Sequence, residues 1–200
     1  MKKYLLIALA VFAFISPAHA QVETYKFDKV HTQIFFSVSH LGYTDSTGQF
    51  LDYDGGFTFD RTAVENSKLD VTIKTASVNM NDEKWNAHLK NADFFNVEKF
   101  PDMTFKSTKV EKTGDKTGKI TGDLTLLGVT KPVTLDVTFN KADKHPMADE
   151  YHAGFTAEGT LKRSEFGMSY GLPMVGDDVK IHINVEAVRE EPGKDGVNGQ

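Results

Sequence analysis

Residues 178–187 read DVKIHINVEA, and this stretch decides the fold class. Val179, Ile181, Ile183, Val185 and Ala187 fall on one parity, while Asp178, Lys180, His182, Asn184 and Glu186 fall on the other. A period of two belongs to a strand with one buried and one wet face. Working outward, the same alternation returns in residues 68–75, KLDVTIKT, where Leu69, Val71 and Ile73 share a face. It returns again in Val133, Leu135, Val137 and Phe139, and in Ile34, Phe36 and Val38. Further strands are predicted near residues 49–60, 102–110, 116–127 and 150–162. Turn chemistry separates them at Asp54-Gly55-Gly56, at residues 112–115, at residues 127–132 and at Val175-Gly176-Asp177. About eight alternating segments joined by short turns predict an all-β protein whose antiparallel sheet closes into a barrel, since closure removes the edges that invite aggregation.

One helix is predicted, over residues 82–91 (DEKWNAHLKN), with acidic residues at its start and Trp85 and Leu89 one turn apart. It is followed by NADFFNVEKFPD, residues 91–102, in which turn formers surround Phe94, Phe95 and Phe100. Loops run over the surface, where aromatic rings gain little. These rings are therefore expected to cap the apolar interior from a helix lying across one end, as a seal or as a gate. Whether the barrel is solid or hollow turns on its inward faces. Gly118, Ile120, Gly122, Leu124 and Leu126 share one face of a strand, and Ala153, Phe155, Ala157, Gly159 and Leu161 share a face of another. Small inward residues leave volume for other side chains or for a ligand. A cavity walled by aliphatic and phenyl groups would take a long apolar chain and repel polar substrates.

The first twenty residues read as a secretory signal peptide. Lys2 and Lys3 precede the apolar run LLIALAVFAFI, which is too short to span a bilayer, and Ala18 and Ala20 form a small-residue cleavage pattern. Cleavage before Gln21 and a periplasmic location are expected. From Glu190 onward the sequence EEPGKDGVNGQ is polar and rich in Gly, so a disordered tail is expected there. Residues 21–189 are then the single domain. There is no cysteine, so the core must stabilise the fold without disulfides. The formal net charge of −5 argues against nucleic acid as a partner. No later segment is apolar enough to span a membrane.

Chemistry-bearing motifs are scarce. His31, His40, His88, His145, His152 and His182 show no metal-ligand spacing such as H-E-x-x-H, and structural or surface roles are expected for them. No G-x-S-x-G occurs and no cysteine nucleophile exists. Asp177-Asp178 suits a turn better than acid–base work, because adjacent strand residues point to opposite faces. Arg163, in LKRSEFG beside Phe166, is either a rim salt bridge or a cation at the mouth that meets a polar head group. No catalytic residue and no metal ligand is assigned, and no cofactor is expected.

Four stretches resemble the YceI-like family of exported proteins: FDKVHTQIFFSVSHLG (residues 27–42), WNAHLKNADFFNVEKFPDMTFKS (85–107), GDLTLLGVTKPVTLDV (122–137), and KRSEFGM with VGDDVKIHINVEA. They follow in order along nearly the whole mature chain. Leu127 stands where His is frequent, and Trp85 where a charged residue is common. The resemblance implies a lipocalin-like antiparallel barrel of about eight strands with one short helix near its mouth. It also implies a hydrophobic tunnel for an amphiphilic isoprenoid lipid of polyprenyl or quinone type, sequestered or carried. Parity and resemblance together nominate Ile34, Phe36, Val38, Phe57, Leu126 and Phe155, with Ile181 and Ile183, as the lining. Trp85, Phe94, Phe95, Arg163 and Phe166 are nominated around the mouth. Two other readings stand beside this one. One is an enzyme or stress-response factor acting on a bound amphiphile, with His31, His40 or His88 as acid or base; the other is an interaction protein with a solid barrel. A homodimer is compatible with all of them.

Overall fold

The computed structural model describes residues 22–191. The expected signal peptide lies outside the described residues, as does most of the expected tail. The alternating segments form eleven antiparallel strands. They are β1 (Val22–Phe27), β2 (Gln33–His40), β3 (Thr44–Phe50), β4 (Tyr53–Asp60), β5 (Lys68–Lys74), β6 (Val78–Asn79), β7 (Asp102–Lys112), β8 (Thr117–Leu126), β9 (Val129–Lys144), β10 (Tyr151–Lys162) and β11 (Val175–Arg189). Eight of them close a ring in the order β1-β4-β5-β7-β8-β9-β10-β11, with β11 returning to β1. The other three, β2, β3 and β6, extend the wall at one end. There the one α-helix among the described residues, α1 (Glu83–Lys90), lies next to β6. The expected antiparallel barrel of about eight strands with one short helix is thus what the chain forms, with three extra strands beyond the ring.

β11 serves two neighbours on one edge. Its C-terminal part pairs with β1 (Phe27 opposite Ala187), and its N-terminal part pairs with β2 (Ile34 opposite Ile183). Residues 28–32 leave the wall between these registers. Thr32 fills the gap, because its hydroxyl donates to the Glu186 carbonyl at 2.7 Å and accepts from the Glu186 N–H at 3.0 Å. The Tyr53 hydroxyl in turn donates to the Thr32 carbonyl at 2.8 Å. The interruption therefore leaves no ladder group of Glu186 orphaned, as a wall facing an apolar interior requires.

Several boundaries differ from the sequence reading. The segment near residues 49–60 is two strands broken at Leu51-Asp52, not one. Asp54-Gly55-Gly56 is not a turn and lies inside β4. At Gly56 the Tyr25 carbonyl sits where a Cβ would stand, so the glycine answers to a close backbone approach. Only Leu127 and Gly128 form the β8–β9 turn, with φ of 52° and 74°, and residues 129–132 already belong to β9. Val175-Gly176-Asp177 opens β11. The start of the expected tail is tied down: the Glu190 N–H donates to the Thr24 carbonyl at 2.8 Å, its carboxylate pairs with Lys26, and Glu191 pairs with Arg189 at 2.8 Å.

The apolar faces meet in two clusters. The larger runs from Ile34 and Phe50 through Val71, Phe105 and Leu124 to Phe94 and Phe95. The smaller joins Tyr25, Ala153 and Ala187, with Phe57, Phe59 and Phe155 packed on it. Two of the small inward residues are consumed by packing, while Gly118 and Ala157 line the hollow. A Cβ on Gly122 would meet the Phe105 ring at 2.5 Å, and one on Gly159 would meet the Leu135 side chain at 2.6 Å. Their space is filled by neighbours, so the hollow described next comes from the width of the barrel rather than from these glycines.

An apolar cavity with two unlike ends

The barrel encloses a cavity of about 920 Å³. Its middle is walled by inward residues of every ring strand except β1's outer half, among them Val71, Phe105, Leu124, Leu135, Ala157 and Ile183. Exposed residues line it at each end: Trp85 and Tyr170 at the α1 end, and Lys68, Lys112 and Lys116 at the β7–β8 hairpin end. The cavity therefore reaches solvent at both.

Ile34, Phe36, Val38 and Phe57 line it, as do Leu126, Phe155, Ile181 and Ile183. Trp85, Phe94 and Phe95 line it at the α1 end. Phe166 does not. It is 2 % exposed and belongs to the packed core beside the cavity rather than to the lining. Phe100, the third ring of the NADFF segment, instead covers Gly128.

At the α1 end the Asp82 carboxylate accepts from the Trp85 N–H at 2.8 Å, which caps the helix. α1 buries Leu89 and leaves Trp85 at 38 % exposure over the opening. His88, Phe94 and Tyr170 form an edge-to-face trio with centroids 5.0, 5.8 and 5.4 Å apart, and His40 stands 6.5 Å from Trp85. The favourable geometry of such rings adds to their burial.

Arg163 is not a free mouth cation. It is 3 % exposed, and its Nε donates to the Gly176 carbonyl at 2.7 Å, Nη1 to Met168 at 3.0 Å and Nη2 to Val175 at 3.0 Å. Burial holds its pKa below the ordinary arginine value. Arg163 thus fastens residues 168–176 to the barrel. Next to it the Asp177 carboxylate accepts from the Ser164 N–H at 2.9 Å and from the Ser164 hydroxyl at 2.8 Å, which holds its pKa low. That is an anchoring role, distinct from the hairpin turn expected for Asp177, while Asp178 pairs with Lys162 at 2.7 Å.

The hairpin end is ionic. Glu23, on the inner face of β1, accepts from Arg61 Nε at 2.9 Å, Arg189 Nη1 at 2.8 Å and the Tyr25 hydroxyl at 2.9 Å. Burial works to raise its pKa, but these three donors outweigh it and carry the carboxyl below its usual value. Asp60 is fully buried and accepts from the Thr62 hydroxyl at 2.8 Å and from the Thr62 and Ala63 N–H groups at 2.9 Å. These bonds, the Thr62 hydroxyl first, hold its pKa at about 2. Lys68, Lys112 and Lys116 have no carboxylate partner within ion-pair distance among the described residues. None of these hairpin-end groups was singled out as a site residue from the sequence. Of them only Glu23 carried a positional signal, a charge at an inward strand position; Arg61 and Lys116 lie just outside the strands.

Fold and cavity define a class: a closed antiparallel β-barrel around an apolar hollow. The chain belongs to the YceI-like domain family, which it matches over residues 25–187. A UPF0312 protein of Pectobacterium atrosepticum is 44% identical over 193 residues, covering 96% of this chain and 100% of its own length. The crystal structure of the Campylobacter jejuni YCEI protein is similar at 39% identity and a TM-score of 0.70, over 76% of this chain and 90% of that one. A polyisoprenoid binding domain from Saccharophagus degradans shares the fold at 12% identity and a TM-score of 0.63, over 83% of this chain and 98% of that one. Among the described residues no helix is long and apolar enough to cross a membrane.

Proposed function

We propose that this chain is an exported, periplasmic lipid-binding protein that sequesters or carries an isoprenoid amphiphile, of polyprenyl or quinone type, without transforming it. The apolar cavity of about 920 Å³ carries this reading. Its size lies near the top of the roughly 300–1,000 Å³ span of small-molecule sites. Each methylene moved into it gains about 0.8 kcal/mol before ordering costs, so a long tail binds without a dense set of polar contacts. The family supports the fold of the site, and a structural relative described as a polyisoprenoid binding domain is in keeping with the ligand class. The two ends suit different head groups: an aromatic ring beside Trp85 and Tyr170, or an anionic group beside Lys112 and Lys116.

The test is native mass spectrometry of protein recovered from its own periplasm. A copurifying amphiphile with an isoprenoid tail is expected, and its occupancy should fall in Ala157→Phe, which adds a ring to the middle of the cavity while circular dichroism stays that of a β-protein. Protein that is empty under the gentlest isolation, or occupancy indifferent to Ala157→Phe, would defeat the proposal.

A second reading rests on His40 and His88, which line the cavity at the α1 end. It makes the barrel an enzyme on its amphiphile, with one of them as acid or base. Turnover of a lipid extract that His88→Ala or His40→Ala abolishes would favour it. His31 lies elsewhere, held by Asp28 at 2.6 Å, and does not line the cavity.

A further inference from the structure

On the outer wall, where the β9–β10 hairpin meets β11, three side chains converge that the lipid cavity does not use. Ligand atoms of His145, His152 and Glu186 all lie within 4.8 Å of one another. The rings of His145 and His152 have centroids 4.6 Å apart. Glu150 joins them, its Oε2 3.6 Å from His152 Nε2. The hairpin brings these residues together: the His145 N–H donates to the Glu150 carbonyl at 2.8 Å, and Gly154 of β10 pairs with Glu186 of β11.

The state of His152 is informative. Its Nδ1 lies 2.7 Å from Glu186 Oε1. A carboxylate accepts only, so the proton of this bond sits on Nδ1, and in the neutral ring the Nε2 lone pair points away from Glu186. That Nε2 is buried and has no hydrogen-bond partner. Buried polar atoms are nearly always partnered, and an exception calls for a cause. An imidazole oriented through one nitrogen by a carboxylate, with its other lone pair free, is the arrangement of a metal-ligating histidine and its supporting acid. His145 offers the second nitrogen. Its Nδ1 is engaged only by the Met147 N–H at 3.2 Å, in an exposed turn where water can take over that bond.

We infer that His145, His152 and Glu150, with Glu186 orienting His152, form a binding site for a late first-row divalent metal ion of the zinc, copper or nickel class. Two imidazoles and a carboxylate favour these ions over magnesium or calcium, which prefer all-oxygen sets. Ligand atoms of a tetrahedral zinc lie about 3.3 Å apart, as bonds of about 2.0–2.1 Å require. Binding therefore requires exposed Glu150 and half-buried His145 to rotate toward His152 Nε2. The ion would pin the hairpin to β11, and a water would complete its shell. The alternation pattern hid this site, because His145 sits in the hairpin loop and His152 on the strand that follows, and together they present no local motif.

The experiment is calorimetric titration of untagged protein with zinc chloride and with copper sulfate, followed by thermal melts. One equivalent should bind, and the melting temperature should rise with metal. His152→Gln and His145→Ala should each abolish saturable binding, while Glu186→Gln, which removes the supporting acid, should weaken it roughly 10- to 100-fold. His31→Ala, on the other side of Glu186, should leave it unchanged. If His152→Gln does not fold, His145→Ala in the turn decides alone. Absence of saturable binding for both metals, or affinity unchanged in His145→Ala, would overturn the assignment. So would calcium binding as tightly as zinc.

Discussion

Each end of the barrel is organised around arginine, but with opposite chemistry. At the α1 end Arg163 gives its donors to three backbone carbonyls and is buried. At the hairpin end Arg61 and Arg189 share Glu23, and Arg61 remains 39 % exposed. The first arrangement holds a loop by bonds to neutral groups that salt scarcely screens. The second rests on ion pairs near water, which are individually weak and are screened. One end is therefore aromatic and firmly fastened, while the other is cationic and adjustable. A tunnel whose ends differ in this way can orient an amphiphile rather than merely enclose it.

The contrast can be broken in four places. The largest effect is expected from Arg163→Met, which leaves three carbonyls without their donor and should cost about 3 kcal/mol or more in urea unfolding. A loss well under about 1 kcal/mol would mean that Arg163 does not fasten residues 168–176. Next is Trp85→Ala combined with Tyr170→Ala. Both rings are partly exposed, so stability should hold while affinity for a quinone-type amphiphile falls about tenfold, at roughly 0.5–1.5 kcal/mol per ring. Unchanged affinity in a fluorescence titration would remove the head group from this end.

Glu23→Gln is milder and should cost about 1 kcal/mol. Its penalty should shrink in 1 M salt, where the Debye length falls to about 3 Å, whereas that of Arg163→Met should not. Equal salt response in the two variants would erase the distinction between the ends. The fourth effect appears only in acid. Asp60 has a folded pKa of about 2, below the roughly 3.9 of an unfolded aspartate. The stability it contributes is fully present above about pH 4 and is lost as pH falls toward 2. Acid unfolding curves should therefore steepen in that window, and Asp60→Asn should flatten them.

The barrel was legible because most strands obey a strict parity, as in β5, β11 and the first half of β9. The helix was legible because Asp82 caps it and Leu89 repeats from Trp85. β1 escaped because its parity is mixed: Glu23 faces inward into the ion cluster while Val22 is 49 % exposed. The Gly55-Gly56 pair read as a turn because glycine signals both turns and close backbone approach, and only the neighbouring strand tells which. At the site, lining positions followed from strand parity, which a closed barrel enforces. Phe166 did not, because it sits in a 3₁₀ turn where parity carries no meaning. Arg163 stood out as an unusual charge, but its partners lie five to thirteen residues further along the chain, across a loop that periodicity does not describe and at the first residues of β11.

The seam formed by β11 has a consequence for how the protein comes into being. The last strand of the barrel must reach both β1 and β2, near the opposite end of the described chain. Until residues 175–189 have emerged, the chain is an open ribbon with sticky margins, and its oily interior does not yet exist as a compartment. Such distant pairing makes assembly slow, and it orders events: the hollow can enclose a ligand only once this strand has docked on both neighbours.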